Sequence, residues 1–215
     1  MPIKFLPCFV DGTRILLDRG EVPVEALKVG DVVRLARGGD APIKWIGWRS
    51  LDRDAVARSP KLAPIRIARD AFGPGRPHRD LWLSPEHAVS VLGALVPIEA
   101  LVNGLTIVRE LTARDLTYYH VELNEHGVLF SEGLETESYL DGGTRSFFAN
   151  NLGVTEAHPS TVAGPGDVKG CAPRIYSGPF VDEVRRLVLA RARFDVPLLS
   201  RDADCRGGQA QSRAA

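Results

Sequence analysis

The feature that most restricts the fold of this chain is a dense succession of short apolar and β-branched runs between Thr13 and Phe130, interrupted every few residues by turn-forming Gly, Pro, Asn or Asp. Thr13–Leu17 runs into a turn at Arg19-Gly20, Val22 and Val24 alternate with polar neighbours, and Val29-Gly30-Asp31 turns into Val32-Val33, with Asp31 most simply bracing the turn. After the break at Arg37-Gly38-Gly39-Asp40, Ile43–Trp48 resumes the period-two pattern, placing Ile43 and Trp45 on one face; Trp45 and Trp48 read as packing residues. Further strands are expected at Ile65–Ile67, Leu81–Leu83, Ala88–Leu92, Leu105–Val108, Tyr118–Leu123 and Val128–Phe130. Residues 50–63 read as a polar connection with room for a short helix, and Gly73-Pro74-Gly75 as a loop. No long helical repeat separates the strands, so the expected class is mainly β, a compact sheet structure rather than alternating βα units.

The strand pattern stops near residue 145, which sets the expected division: a β domain over residues 1–145 and a loop-rich extension over 146–215. Asn150–Gly170 is rich in Asn, Gly, Pro, Ser and Thr. A helix is then expected near 180–194, in FVDEVRRLVLARARF, where Val181, Val184, Leu187 and Val188 form one face. Asp182 and Glu183 suit its first turns, Arg191 and Arg193 its end, and Pro197 stops it. The final RGGQAQSRAA is expected to be a mobile tail.

Charge is balanced, with 27 Lys plus Arg against 27 Asp plus Glu, so no bulk attraction for nucleic acid operates and no nucleic-acid partner is expected. No run approaches the roughly 20 apolar residues of a membrane span. The opening MPIKFLPCFV is too short and proline-broken for a signal peptide, which leaves localisation open between the cytoplasm and a non-classical export route. Cys8, Cys171 and Cys205 make no CxxC pair and no disulfide framework; a Cys171–Cys205 link stays open.

Three blocks carry chemistry: CFVDGTRILLDRGEVPVEALKVGDVV, opening on Cys8; DLWLSPEHAV, with Ser84-Pro85-Glu86-His87; and TYYHVELNEHGVLFSEG, with His120 and His126. In this order they resemble the Hint domain shared by Hedgehog C-terminal domains, inteins and bacterial intein-like proteins, and are most similar to the bacterial Hint-domain proteins. The resemblance covers about residues 7–140. It implies a Hint-type β fold with Cys8 as the nucleophile that opens the domain, Ser84 and His87 at the two ends of the family's Thr-x-x-His segment, and His120 and His126 as further site residues. Serine keeps the hydroxyl of the threonine it replaces. If the strand around His120 runs on, His120 and His126 share a face.

The chemistry so implied is an N-to-S acyl shift at the Pro7–Cys8 peptide bond. Cys8 attacks the Pro7 carbonyl, His87 supplies a proton to the departing Cys8 nitrogen, and Ser84 orients the peptide; water, a thiol or a hydroxyl then takes the acyl group. The substrate is the chain's own N-terminal peptide, and the enzyme a single-turnover autoproteolytic domain with no cofactor and no metal; a zinc on His120 and His126 together would need a third protein ligand. Full splicing is not expected, because none of the five histidines is followed by asparagine. The alternative is a noncatalytic Hint-like structural or interaction domain: Pro7 stiffens the scissile bond, and only seven residues precede Cys8. The sequence leaves the oligomeric state open.

Overall fold

A computed structural model describes residues 6–111, 115–141, 145, 148–150 and 170–194. The strands are β1 (Phe9–Val10), β2 (Arg14–Leu17), β3 (Gly20–Pro23), β4 (Val32–Arg34), β5 (Asp40–Leu51), β6 (Ile65–Ile67), β7 (Leu81–Leu83), β8 (Ala88–Val91), β9 (Ala94–Pro97), β10 (Ile107–Arg109), β11 (Leu116–Leu123), β12 (Val128–Ser131) and β13 (Leu134–Glu137). Among the described residues two α-helices join them, α1 (Arg53–Arg58) in the 50–63 connection and α2 (Pro179–Phe194) where the apolar face was expected. The mainly β class read from the sequence is the one observed.

The named strands form one antiparallel sheet in the order β10-β6-β7-β1-β11-β5-β4-β2-β12-β13-β8-β9, with β3 hung on β2. The long β5 holds its two halves together. Its first residues pair with β4 (Val32 with Pro42), and from Ile43 to Leu51 it runs along β11. Along it Ile43, Trp45, Gly47 and Leu51 turn inward while Lys44, Trp48 and Ser50 face out, the period-two rule at work. β5 outruns the expected Ile43–Trp48 at both ends because β4 partners its first residues and β11 extends the pairing to Leu51. α1 is capped by Asp52, whose side chain accepts the Ala55 N–H at 2.5 Å.

Three strands carry no sequence mark of their own. β9 and β13 follow two-residue turns, Leu92-Gly93 and Glu132-Gly133, in which both residues have positive φ (49° and 82°, 49° and 80°). That is the twist-matched hairpin geometry, unusual only in putting Leu and Glu in the first position. β1 has two residues and exists because β7 and β11 flank it, Phe9 pairing with both Leu83 and Tyr119.

The principal core runs from Phe9, Ile15 and Leu17 through Ile65, Ile67, Leu81 and Leu83 to Leu129 and Leu134. Val181, Val184 and Val188 of α2 belong to the same core, so the helix completes it. Arg191, assigned to the helix terminus from the sequence, is itself buried and donates to the Asp70 carbonyl at 3.1 Å. Among the described residues no helix is long and apolar enough to cross a membrane. Cys205, Pro197, Arg193's side chain, the terminal tail and most of Asn150–Gly170 lie outside the described residues.

Candidate active site

Cys8 lies immediately before β1, so the pairing of Phe9 with β7 and β11 fixes where its side chain can go. Ser84 follows β7 directly and meets Cys8 twice: its backbone N–H donates to the Cys8 carbonyl at 2.9 Å, and its Oγ accepts the Cys8 N–H at 2.7 Å. The same Oγ donates to the Leu6 carbonyl at 2.8 Å. One hydroxyl therefore holds the chain on both sides of Pro7. A turn closed by His87 N–H to the Ser84 carbonyl (3.0 Å) then brings the His87 ring to 4.3 Å from that of Phe9.

His120 projects inward from β11, opposite Gly47 of β5. Its Nε2 lies 3.2 Å from Cys8 Sγ. Its ring is held between Tyr139 at 4.7 Å and Phe148 at 4.6 Å, and Trp45 packs behind both at 5.8 and 5.2 Å. Cys8, Ser84, His87 and His120 are thus brought together and all are buried. A pocket of about 30 Å³, walled chiefly by Leu6, Arg49, Leu51, Leu62 and Tyr118, opens beside the sulfur; a water needs roughly 10–15 Å³.

Burial sets the charge states. It pushes the Cys8 thiol up, against opposing pulls from Ser84 and Arg49, so the resting sulfur is protonated. Burial, with the nearby charge of His87, holds His120 well below the ordinary imidazole value, leaving a neutral ring whose Nε2, in the tautomer that carries its proton on Nδ1, accepts from the thiol. His87 is lowered to about 4, first by burial, with Glu137 opposing and Arg174 assisting. The backbone of Cys8 and of Glu137 lies beside its ring and favours the charged form, but neither ring nitrogen finds a hydrogen-bond partner of good geometry among the described residues.

His126 lies elsewhere. β11 ends at Leu123, so the shared face that a continuous strand would give does not form. His126 accepts the Cys171 N–H on Nδ1 at 3.0 Å and sets Nε2 3.6 Å from Oε2 of Glu137. Burial and the Cys171 N–H work against a second proton on this ring; the side chains of Cys171 and Glu137 outweigh them and push it up to about 9. Glu137, buried on β13, gives Oε1 to the Ala88 N–H at 2.8 Å and Oε2 to Arg174 Nη1 at 2.5 Å. Neither Glu137 nor Arg174 was among the residues expected at the site: nothing in LETE sets Glu137 apart from an exposed carboxylate, and nothing local marks Arg174 as an inward residue.

Two of the three shifted histidines, His87 and His126, oppose each other in stability, and His120, depressed by burial, acts in the same sense as His87. His87, depressed from 6.5 to about 4, binds fewer protons folded than unfolded, so its contribution is complete above pH 6.5 and is lost as pH falls toward 4. Its full size is about 3 kcal/mol at 1.36 kcal/mol per unit. His126, raised to about 9, contributes fully below pH 6.5 and loses that contribution as pH rises through 9. Stability is therefore expected to peak near pH 6.5, with melting temperature falling by on the order of 10 °C toward pH 4. Thermal melts across pH check this: His87→Gln should flatten the acid limb, and an unchanged acid limb would refute the assignment.

Among the described residues, Glu21, His78 and Glu132 are grouped closely enough to hold a cation. Both oxygens of Glu132 are already taken by Arg79 at 2.6 Å, however, and one also accepts the Arg14 N–H at 2.6 Å, so the group works as an ion-pair network joining β2, the loop before β7 and the β12–β13 turn.

An antiparallel β domain that opens on a buried cysteine clasped by a Ser-x-x-His turn has the organisation of a self-processing domain. The chain belongs to the Hint domain family, whose model matches residues 7–143. Autoprocessing is its general function. Similar solved structures include the gp41-1 intein, at 16% identity over 60% of this chain and 97% of that one with a TM-score of 0.41. Others are a bacterial intein-like domain from Clostridium thermocellum (12%; 61% and 97%; 0.39) and a DnaB intein from Synechocystis sp. PCC 6803 (8%; 62% and 99%; 0.44). No curated protein sequence matches the chain.

Proposed function

We propose that this domain cleaves or transfers its own chain at the Pro7–Cys8 bond by an N-to-S acyl shift, without splicing, and that residues 1–145 are the acting unit with 146–215 as an extension. The carrying observation is the paired clasp: Ser84 Oγ bonded to Leu6 O and Cys8 N–H, with Cys8 Sγ 3.2 Å from a neutral His120 Nε2. In the step, the Cys8 thiol gives its proton to His120 as sulfur bonds to the Pro7 carbonyl carbon. The tetrahedral intermediate then expels the Cys8 nitrogen, which takes up one proton, so amide becomes thioester with nothing gained or lost. His87, neutral at rest and set against the Cys8 backbone, is the group suited to relay the proton from His120 to that nitrogen, which returns both rings to the neutral form. His126 acts one layer back, through Glu137.

Water, a thiol or a hydroxyl then displaces Cys8 sulfur and leaves the acyl group as an acid or adduct; the small pocket beside the sulfur suits water or a compact thiol. The noncatalytic reading draws on the burial of the thiol, whose raised pKa makes it a poor nucleophile unless deprotonated in the step itself. An intact-mass time course decides between them. With a removable domain fused ahead of Met1, the segment ending at Pro7 should be released, faster with added thiol and as a thiol adduct. A folded precursor that stays whole with thiol would establish the scaffold reading instead.

A further inference from the structure

The segment after residue 170 lies beyond the family match, yet it returns to the back of the site. Leu95 N–H donates to the Pro173 carbonyl at 2.8 Å and Ile175 N–H to the Leu95 carbonyl at 2.9 Å, so residues 173–175 dock along β9, the last strand of the sheet order. Between those two contacts Arg174 turns inward. Its Nη1 meets Glu137 Oε2 at 2.5 Å and its Nη2 donates to the Glu86 carbonyl. Glu137 in turn accepts the Ala88 N–H at 2.8 Å. One guanidinium–carboxylate pair thus holds the backbone on both sides of His87, through the carbonyl of the preceding residue and the N–H of the following one.

A buried ion pair is weak evidence for stability as such, since an apolar pair of the same shape serves as well. This pair does something an apolar pair cannot: it bonds the two peptide groups that aim the His87 ring. A guanidinium fork can reach a carboxylate and a carbonyl together, whereas an ammonium is a point charge. We propose that Arg174 is a positioning residue for His87, so that the extension beyond the family-matched region completes the acid-base site. This rests on the role proposed above for His87, but its structural half can be read without any cleavage.

The charged and titratable groups that bear on His87 are Glu137 from β13, Arg174 from the extension and His120 from β11; Glu137 is faced by His126, and Glu86 by Arg174 and Glu99. Arg174 opposes protonation of His87 and also neutralises part of Glu137, which favours it. Both effects have the same sign, so loss of the arginine charge raises the His87 titration.

The experiment uses the full chain with isotopically labelled histidine, titrated by NMR as wild type, Arg174→Met and Arg174→Lys, beside mass time courses of the matching precursors. Arg174→Met should move the His87 midpoint up by about one unit and slow release at least tenfold while the protein stays folded. Arg174→Lys should return the midpoint toward that of wild type and recover part of the rate. A folded Arg174→Met protein with an unmoved midpoint and an unchanged rate would reduce Arg174 to a stabilising ion pair. Should that variant not fold, Arg174→Gln, which drops the charge but keeps a donor for the Glu86 carbonyl, is read by the same midpoint. If the wild-type precursor releases nothing, the cleavage reading fails, and the midpoint still decides whether Arg174 governs His87.

Discussion

Replacing Cys8 with alanine should abolish release of the segment ending at Pro7 at every thiol concentration, a loss of at least a thousandfold, with the domain still folded. Cys8 carries the sulfur that must bond to the Pro7 carbonyl, and among the described residues no second nucleophile is free beside it: Ser84 Oγ is engaged with Leu6 O and Cys8 N–H. Residues of such a unit act together, so removing the nucleophile alone costs about as much as removing the whole set. The folding cost is small, because alanine keeps the backbone N–H and carbonyl that bond to Ser84 and gives up one buried sulfur. Mass spectrometry of wild-type and Cys8→Ala precursors, with melts as the folding control, makes the measurement. Release from a folded Cys8→Ala precursor would mean that the bond is cut by hydrolysis without a thioester, and would remove the N-to-S shift.

The centre was legible in the sequence because its chemistry is confined to short blocks in fixed order. Cys8 needs only the strand after it, and Ser84 and His87 are three residues apart in one turn, so local spacing carries geometry there. His120 was named through the resemblance of its block, and its inward parity on β11 is what alternation gives. His126 could not be placed that way, because the pattern does not reveal that β11 stops at Leu123. Glu137 and Arg174 were invisible for a stronger reason. Each is held by residues distant in sequence: the buried Glu137 by His126 and Arg174, and the half-buried Arg174 by Glu137 and the carbonyl of Glu86. Charged residues read one at a time default to solvent, and only the partner overturns the default. β9 and β13 were missed at their turns, where Leu92 and Glu132 stand in a left-handed position that composition assigns to Asn, Asp or Gly. Glu132 tolerates it while its carboxylate is tied to Arg79 and the Arg14 N–H.

The absence of a side chain at Gly47 is as much a part of the site as the residues with chemistry. It pairs with His120 across β5 and β11, and the end of the Trp45 indole lies over it so closely that a Cβ would stand 2.1 Å from Cη2 and 2.7 Å from Cζ3. Trp45 is buried and enclosed by described residues. Tyr139 and Phe148 hold its inner side, and the Arg145 guanidinium lies 5.2 Å from the ring centre, tied to both oxygens of Glu122 at 2.6 Å. In Gly47→Ala the indole must therefore drive into Tyr139 and Phe148, the two rings that fix His120. Overpacking of this kind costs about 3 kcal/mol, some 6–12 °C in melting temperature for a chain of this size. Because a displacement of about 1 Å at a reacting group can lose a hundredfold in rate, release should slow by at least tenfold even where the variant is folded. Trp45→Leu in the Gly47→Ala background removes the obstructed ring and should recover most of the lost stability, a positive coupling that a double-mutant cycle in melting and release measures. Additive losses in that cycle would show that Gly47 acts through the backbone of β5 and not through the tryptophan, and the wall around His120 would then need another account.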